Sequence, residues 1–137
     1  MKVLVDTPIW SLALRREGSK DHDLVRELSD LIRDVRVQII GPIRQELLSG
    51  IKSQKQFESL RSHLSAFPDI HLETTDYEKA AEFFNICRKN GIQGSNTDFL
   101  ICSVAYLRDF EIFTTDNDFE NFQHHIPIRL YQPKHEK

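Results

Sequence analysis

The 137-residue chain lacks several features that would place it outside the ordinary class of single-domain globular proteins. Its two cysteines, Cys87 and Cys102, do not have the spacing of a zinc site, and their apolar surroundings predict buried, reduced thiols. No apolar run approaches a signal peptide or the roughly 20 residues of a membrane span. We therefore expect a cytoplasmic protein that needs no disulfide and does not contact a membrane.

The chain also lacks an excess of positive charge. Its formal net charge is −3 and its isoelectric point is about 6.1, whereas nucleic-acid-binding domains usually present a basic surface. Any contact with nucleic acid would have to come from a local basic patch or from bound metal. A Gly-Lys-Ser/Thr phosphate loop and a Ser-His-Asp order are also missing, so these two kinds of site are not indicated.

What is present is an alternation of strand and helix signals in a chain with 39% hydrophobic and 28% charged residues, a composition that does not indicate disorder. Such alternation predicts an α/β fold, a three-layer α/β/α domain with a mostly parallel central sheet. We expect one domain over residues 1–131 and a flexible tail over residues 132–137. Strands are predicted at residues 2–5, 37–40, 111–114 and 128–130, with a short edge strand or a link at residues 70–72.

Between these strands the apolar spacing predicts helices. A short helix follows Thr7-Pro8, residues 15–21 form a polar loop, and further helices cover residues 21–34, 41–50, 53–67 and 118–122. A capping box of Thr75 and Glu78 begins another helix, which is expected to bury Tyr77, Ala80, Ala81, Phe84 and Cys87. The helix over residues 97–108 is apolar nearly all round, so we expect it against the centre of the sheet.

Four acids occupy informative places in this pattern. Asp6 and Asp116 each follow a strand directly, Glu46 lies in the helix after residues 37–40, and Asp98 opens the most apolar helix. Side chains at the carboxyl ends of parallel strands, and on the helices that follow, meet at one edge of the sheet. Each acid alone has a plain alternative as a cap, a turn residue or a solvated acid in a first helical turn. Together they predict one acidic site.

Four carboxylates cannot share a small pocket without a partner. Two unit charges about 4 Å apart repel by roughly 4 kcal/mol at an effective dielectric constant near 20. No lysine or arginine adjoins Asp6, Asp98 or Asp116 in the sequence. Either some of the acids are protonated or a divalent cation lies among them, and hard oxygen ligands favour Mg²⁺ or Mn²⁺.

Four further residues are candidates for a supporting role. Asp118 lies two residues beyond Asp116, where it could bind the metal or orient metal-bound water, or simply cap the turn that follows. Thr7, Asn96 and Thr115 are uncharged neighbours of the acids and could orient the carboxylates by hydrogen bonding. They could equally be ordinary helix caps.

These residues resemble the motifs of the PIN-domain ribonucleases, and of the bacterial VapC toxins in particular. Val-Leu-Val-Asp6-Thr7 is similar to the first motif of that family, and Glu46-Leu47-Leu48-Ser49-Gly50 is similar to the second. Asp98-Phe99-Leu100-Ile101 resembles the third, and Thr114-Thr115-Asp116-Asn117-Asp118 resembles the fourth. The order and spacing match over nearly the whole chain, and the ordered set is more specific than any one motif.

The resemblance implies a metal-dependent endoribonuclease with Asp6, Glu46, Asp98 and Asp116 as metal ligands. It also implies an RNA substrate, a cognate antitoxin that holds a type II toxin inactive, and a homodimer. Flanking RNA phosphates would then be contacted by nearby basic residues, although each could instead belong to a solvated helix face. The candidates are Arg15, Arg16, Arg44, Lys52 and Lys55.

Two other functions fit clustered acids. A phospho-accepting signalling domain also uses such acids with Mg²⁺, but it needs a lysine after a late strand, and residues 111–125 contain none. A non-catalytic binding module with the same fold would bind metal weakly. A flap-type DNA nuclease is less well matched, because such enzymes carry more acids and a DNA-binding insertion.

Overall fold

The computed structural model describes residues 1–14 and 22–134. The predicted loop at residues 15–21 and the last three residues of the predicted tail lie outside this range. Within it, helices and strands alternate much as the sequence predicts. In chain order they are β1 (Val3–Val5), α1 (Thr7–Leu14), α2 (Asp23–Arg33), β2 (Val37–Gln38), α3 (Gly41–Leu48), α4 (Gln54–Leu64), α5 (Thr74–Lys89), α6 (Asn96–Arg108), β3 (Glu111–Phe113) and α7 (Asp118–Gln123).

The sheet has the order β2-β1-β3, so the first strand in the sequence is the middle one. Both pairings are parallel, with Val3 opposite Val37 on one side and Val5 opposite Phe113 on the other. All three residues of β1 are fully buried, which explains their continuous apolar character. The carboxyl end of β1 therefore lies beside the carboxyl end of β3.

Helices cover this sheet, and the three-layer α/β/α prediction is confirmed. Helix α6 packs against β1 and β3, and α5 packs along α6. Residues 99–105 of α6 are all buried, as expected for a helix that is apolar nearly all round. Helix α2 packs against β2 and α1. Cys87 and Cys102 are buried and free, as predicted.

Two details of α5 were predicted wrongly. Its capping box is formed by Glu73 and Asp76, not by Thr75 and Glu78. The reason is that Asp76 also accepts hydrogen bonds from the Arg108 guanidinium of α6, at 2.6 and 3.0 Å. This ion pair lowers the pKa of Asp76 and fixes where α5 begins.

The buried face of α5 is also rotated from the one predicted. Phe83 is buried with Ala80 and Cys87, whereas Tyr77 is 55% exposed and Ala81 is exposed. Phe84 is only half-buried. The apolar residues of α5 run around more than one face, so periodicity alone did not determine which face contacts α6.

The predicted strand at residues 128–130 is reduced to one parallel bridge between Leu130 and Ile112, and residues 70–72 form a link after a bridge between Asp69 and Ile39. Tyr131 and the backbone N–H of Lys134 both donate to the buried carboxylate of Glu27.

In the part of the chain that the structure describes, no helix is long and apolar enough to cross a membrane.

Candidate active site

The site is built around Asp6, which leaves β1 at its carboxyl end and is 5% exposed. Its backbone N–H donates to the carbonyl of Phe113 at 2.9 Å, which continues the pairing of β1 with β3. One carboxylate oxygen accepts the backbone N–H of Thr7, and the other accepts the hydroxyl of Thr114, both at 2.8 Å. The Asp6 carboxylate is therefore held in one orientation by its two neighbours.

Burial raises the pKa of Asp6 to about 6. The hydrogen bonds from Thr114 and Thr7 act in the opposite direction, because they favour the charged form. The negative charges of Asp98 and Glu46 raise the pKa further. These interactions place both acids within electrostatic reach of Asp6.

Glu46 comes from α3, the helix that follows β2. Its side chain is exposed, and Oε1 accepts the hydroxyl of Thr7 at 2.6 Å. Thr7 thus contacts two of the predicted acids, Asp6 through its N–H and Glu46 through its hydroxyl. This places Thr7 between these two acids.

Asp98 comes from the first turn of α6. Its carboxylate accepts the N–H of Ser95 at 3.1 Å, and its own N–H donates to the Ser95 hydroxyl at 3.0 Å, which makes a capping box. Burial raises the pKa of Asp98, the hydrogen bonds with Ser95 lower it, and the charges of Asp116 and Asp118 raise it again. Asp98 is therefore both a helix cap and a member of the acidic group.

Asp116 and Asp118 lie in the turn between β3 and α7. The Thr114 hydroxyl accepts the N–H of Asp116 at 3.0 Å, and Asp116 Oδ1 accepts the N–H of Asp118 at 2.9 Å. Thr114 therefore links this turn to Asp6. Asp118 is exposed, and its role as a ligand stays a prediction.

Sequence reasoning missed two contributors, Thr114 and Ser95. It favoured Thr115, which is exposed, and Asn96, which is the first residue of α6 and is also exposed. The supporting roles of Thr115 and Asn96 stay predictions. Ser95 could have been found from the spacing Ser-x-x-Asp, since a serine three residues before an acid is typical of a capping box.

The acids fit a divalent cation by their chemistry, since carboxylate oxygens are what Mg²⁺ and Mn²⁺ prefer. Their placement is not that of a finished ligand cage. Among residues 1–14 and 22–134, no three His, Cys, Asp or Glu side chains lie close enough together to hold a metal ion. In this structure Glu46 accepts a hydrogen bond from Thr7, Asp98 from Ser95 and Asp116 from Asp118.

Of the basic residues predicted to contact RNA, Arg44 is used inside the fold. Its guanidinium donates to Asp69 at 2.9 Å and to the carbonyls of Leu64 and Phe67, which fixes the end of α4. The Arg44 guanidinium is therefore held within the fold, and its contact with RNA stays a prediction. Lys52 and Lys55 are exposed, and Arg15 and Arg16 lie outside the described residues.

Several solved structures share the fold, and one of them, from Klebsiella pneumoniae, is described as a toxin–antitoxin complex (TM-score 0.62, 22% identity, over 86% of this chain and 90% of that chain). FitAcB from Neisseria gonorrhoeae matches with a TM-score of 0.78 and 19% identity, over 98% of this chain and 99% of that chain. VapBC2 from Rickettsia felis, bound to a promoter DNA fragment, matches with a TM-score of 0.78 and 20% identity, over 96% and 98%. DNA-bound VapBC from Salmonella typhimurium matches with a TM-score of 0.72 and 19% identity, over 96% and 97%.

Identities this low establish a shared fold only. Comparison with curated proteins gave no match. The decisive comparison is with family models, where the PIN domain matches residues 3–124, a range that includes every acid of the site. The chain therefore belongs to the PIN domain family.

Proposed function

We propose that this protein is a Mg²⁺- or Mn²⁺-dependent endoribonuclease and the toxin of a type II toxin–antitoxin pair. The observation that carries the proposal is the buried Asp6 carboxylate at the end of the middle strand, within electrostatic reach of Asp98 and Glu46. Burying a charge in this way is costly without a partner. A bound divalent cation would offset this cost.

The acids of this chain would act first as ligands. At neutral pH, Asp6 is mostly ionised because its pKa is about 6, and Thr7 and Thr114 hold its two oxygens in place. Asp98 on α6 and Asp116 in the β3–α7 turn would supply the remaining ligands. Held by Asp6, Glu46, Asp98 and Asp116, a divalent cation would supply an activated water and would stabilise the leaving oxygen of the phosphodiester.

The assignment as a toxin rests on the fold neighbours and on the motifs. VapBC2 and VapBC were solved with DNA, and a further structure with the same fold, from Klebsiella pneumoniae, is described as a toxin–antitoxin complex. By analogy, we expect a cognate antitoxin that covers the acidic site, a homodimeric toxin, RNA as the substrate and a cytoplasmic location.

A cleavage assay on total RNA tests the enzymatic part of the proposal. We expect RNA cleavage with Mg²⁺ or Mn²⁺ and none with chelator. With metal present, Asp6→Asn and Asp98→Asn should cleave no more RNA than the wild type does in chelator. Glu120→Gln is the matched control, because Glu120 is an exposed acid on α7 outside the acidic group. Cleavage that survives chelation, or survives either aspartate substitution, contradicts the mechanism.

A further inference from the structure

Helix α3, which carries Glu46, is too short to hold its own position. It has eight residues, Gly41–Leu48, and its N-cap residue Ile40 makes no side-chain cap hydrogen bond. Isolated helices of this length are unstable in water, so tertiary contacts must place it. The buried residues Ile43 and Leu47 select the face of α3 that meets the core. Apolar contacts are non-directional, so they do not by themselves fix the orientation of the helix to within the length of a hydrogen bond.

The directional contacts of α3 come from Arg44. Its Nε donates to Asp69 at 2.9 Å, one terminal nitrogen donates to the carbonyl of Leu64 at 3.0 Å, and the other donates to the carbonyl of Phe67. The acceptors lie at the end of α4 and in the link that follows, and the Arg44 side chain is only 22% exposed. The planar guanidinium makes these bonds in one fixed geometry. The three hydrogen bonds, the Arg44 clamp, therefore hold α3 against the end of α4.

The link held by the Arg44 clamp also contacts the residues next to Asp6. The Phe67 ring packs edge-on against the ring of Trp10, with centroids 5.1 Å apart. Trp10 is 3% exposed, and its indole N–H donates to the carbonyl of Val5 at 3.1 Å. Val5 directly precedes Asp6 in the sequence. A chain of contacts therefore joins the carboxyl end of β1 to the Arg44 clamp.

On its other side, α3 contacts the site through Glu46. Glu46 lies two residues beyond Arg44, so the two side chains leave the helix in different directions. The Glu46 carboxylate accepts the hydroxyl of Thr7 at 2.6 Å, and the N–H of Thr7 donates to Asp6 at 2.8 Å. The contacts thus form a closed ring that begins and ends at the carboxyl end of β1. A shift of α3 would break the contact between Glu46 and Thr7.

We propose that Arg44 is a positioning residue, which holds α3 so that Glu46 faces Thr7 and can bind the same metal ion as Asp6. This inference rests on the proposed function, since it concerns the ligands of that same site. It differs from the RNA contact expected of Arg44. A phosphate contact needs a positive charge, whereas the clamp needs the fork of the guanidinium. Lysine keeps the charge and presents one nitrogen, so Arg44→Lys separates the two roles.

The first measurement uses the metal alone. Mn²⁺ is titrated calorimetrically into the wild type and the variants without RNA. We expect Arg44→Lys to raise the dissociation constant for Mn²⁺ at least about fivefold, because groups that orient ligands affect metal affinity. Asp69→Ala removes one acceptor of the clamp at an exposed position, so it should keep the fold and have a smaller effect. Arg61→Lys is the matched control, because Arg61 is an exposed arginine of α4 that pairs with Glu58 outside the clamp.

A second comparison shows whether Arg44 acts through Glu46. The double variant with Arg44→Lys and Glu46→Gln should bind Mn²⁺ as weakly as Glu46→Gln alone, since a positioning group matters only while its ligand is present. Losses that add in full would mean that Arg44 acts on the fold in general, and they overturn the proposal. Binding of Mn²⁺ by Arg44→Lys at the wild-type affinity overturns it as well.

Hydrogen exchange in chelator measures how firmly α3 is held when no metal is bound. The N–H of Ser49 donates to the carbonyl of Gln45 at 2.9 Å, and it should exchange faster in Arg44→Lys than in the wild type or in Arg61→Lys. Unchanged exchange in Arg44→Lys contradicts the clamp and leaves the proposed function standing. Faster exchange in Arg44→Lys, together with a wild type that binds no Mn²⁺, contradicts the metal-dependent function and leaves the placement of α3 by Arg44 intact.

Discussion

At the scale of single residues, Thr114 is the side chain that connects the parts of the site. Its hydroxyl donates to Asp6 and accepts the N–H of Asp116. One group thus orients a buried carboxylate and fixes the turn that carries another acid. Groups that orient metal ligands in this way commonly affect affinity and activity almost as much as the ligands do.

Replacing Thr114 by valine should therefore lower metal affinity and RNA cleavage by about 10- to 100-fold, without unfolding the protein. Titration calorimetry with Mn²⁺ and a cleavage assay measure the two effects. Thr115→Val is the matched control, since Thr115 is the adjacent, exposed threonine. Equal losses in both variants would show that the hydrogen bond to Asp6 is not the cause.

The ionised Asp6 carboxylate should lower the free energy of unfolding of the protein. Its pKa is about 6 in the fold and 3.8 as an ordinary aspartate, so the folded protein binds the proton more tightly. Proton binding by Asp6 therefore stabilises the folded state by up to about 3 kcal/mol below pH 3.8. This stabilisation is lost as the pH rises through 6. We expect Asp6→Asn to be more stable than the wild type at pH 7.5 in chelator.

Urea denaturation at pH 7.5 and pH 4.5 measures this difference, which should shrink at the lower pH as the wild-type carboxyl becomes neutral. Glu120→Gln, at an exposed site, should show no such gain. An Asp6→Asn variant that is less stable at both values of pH would mean that the hydrogen bonds from Thr7 and Thr114 outweigh the cost of burial.

At the scale of helices and strands, the first turn of α6 depends on a close contact at Gly94. A Cβ atom there would lie 2.6 Å from Cζ of Phe122 and 2.9 Å from Cε2 of Phe99. These rings pack together with centroids 4.7 Å apart. The two rings thus fill the space beside Gly94. The next residue, Ser95, forms the capping box of α6 with Asp98.

Gly94→Ala should destabilise the fold by about 1–3 kcal/mol, because the rings must move to admit a methyl group. Gly41→Ala is the control, since its Cβ would meet nothing nearer than Asp69 Oδ2 at 3.9 Å. Denaturant midpoints compare the two variants. Similar midpoints for both would mean that the rings adjust freely.

The end of α2 carries a different kind of strain. Val35 has φ of 57° and is 82% exposed, although β-branched residues rarely adopt the left-handed region. The N–H of Arg36 donates to the carbonyl of Leu31 at 3.0 Å, which is the hydrogen bond of a helix C-cap that usually contains glycine.

Val35→Gly should therefore stabilise the protein by about 1 kcal/mol, because glycine adopts this conformation without the steric cost of a Cβ atom. Val35→Ala keeps the Cβ and should gain much less. Thermal unfolding of the three proteins under one condition measures the effect. A loss of stability in Val35→Gly would show that the valine side chain makes a contribution of its own.

At the scale of the whole molecule, the sequence predicted the α/β alternation, the parallel sheet and the burial of α6, because each depends on a local pattern. The sequence-based prediction failed where a local structure depends on a residue that is distant in the sequence. The start of α5 depends on Arg108 pairing with Asp76, and Thr114 meets Asp6 only because Val5 pairs with Phe113. Neither pairing follows from composition or periodicity.

If the acids bind metal as proposed, we expect the stability of the entire chain to respond to it. A cation that binds the folded acids and not the unfolded chain raises the melting temperature. We expect Mn²⁺ to do so at pH 7.5 and to do so much less at pH 5, where Asp6, with its pKa of about 6, is mostly protonated. Scanning calorimetry measures this, and Asp98→Asn should abolish the shift. An equal shift at both values of pH would exclude Asp6 as a ligand.

The hydrogen bond from Thr114 to Asp6 joins residues 108 positions apart. During translation Asp6 is therefore synthesised early. Nearly all of the remaining chain must then be synthesised before Thr114 can bind its carboxylate. Until β3 and the turn after it have emerged, the middle strand lacks one neighbour and the acidic group is incomplete. The proposed toxin would thus remain harmless to its own messenger while it is being translated.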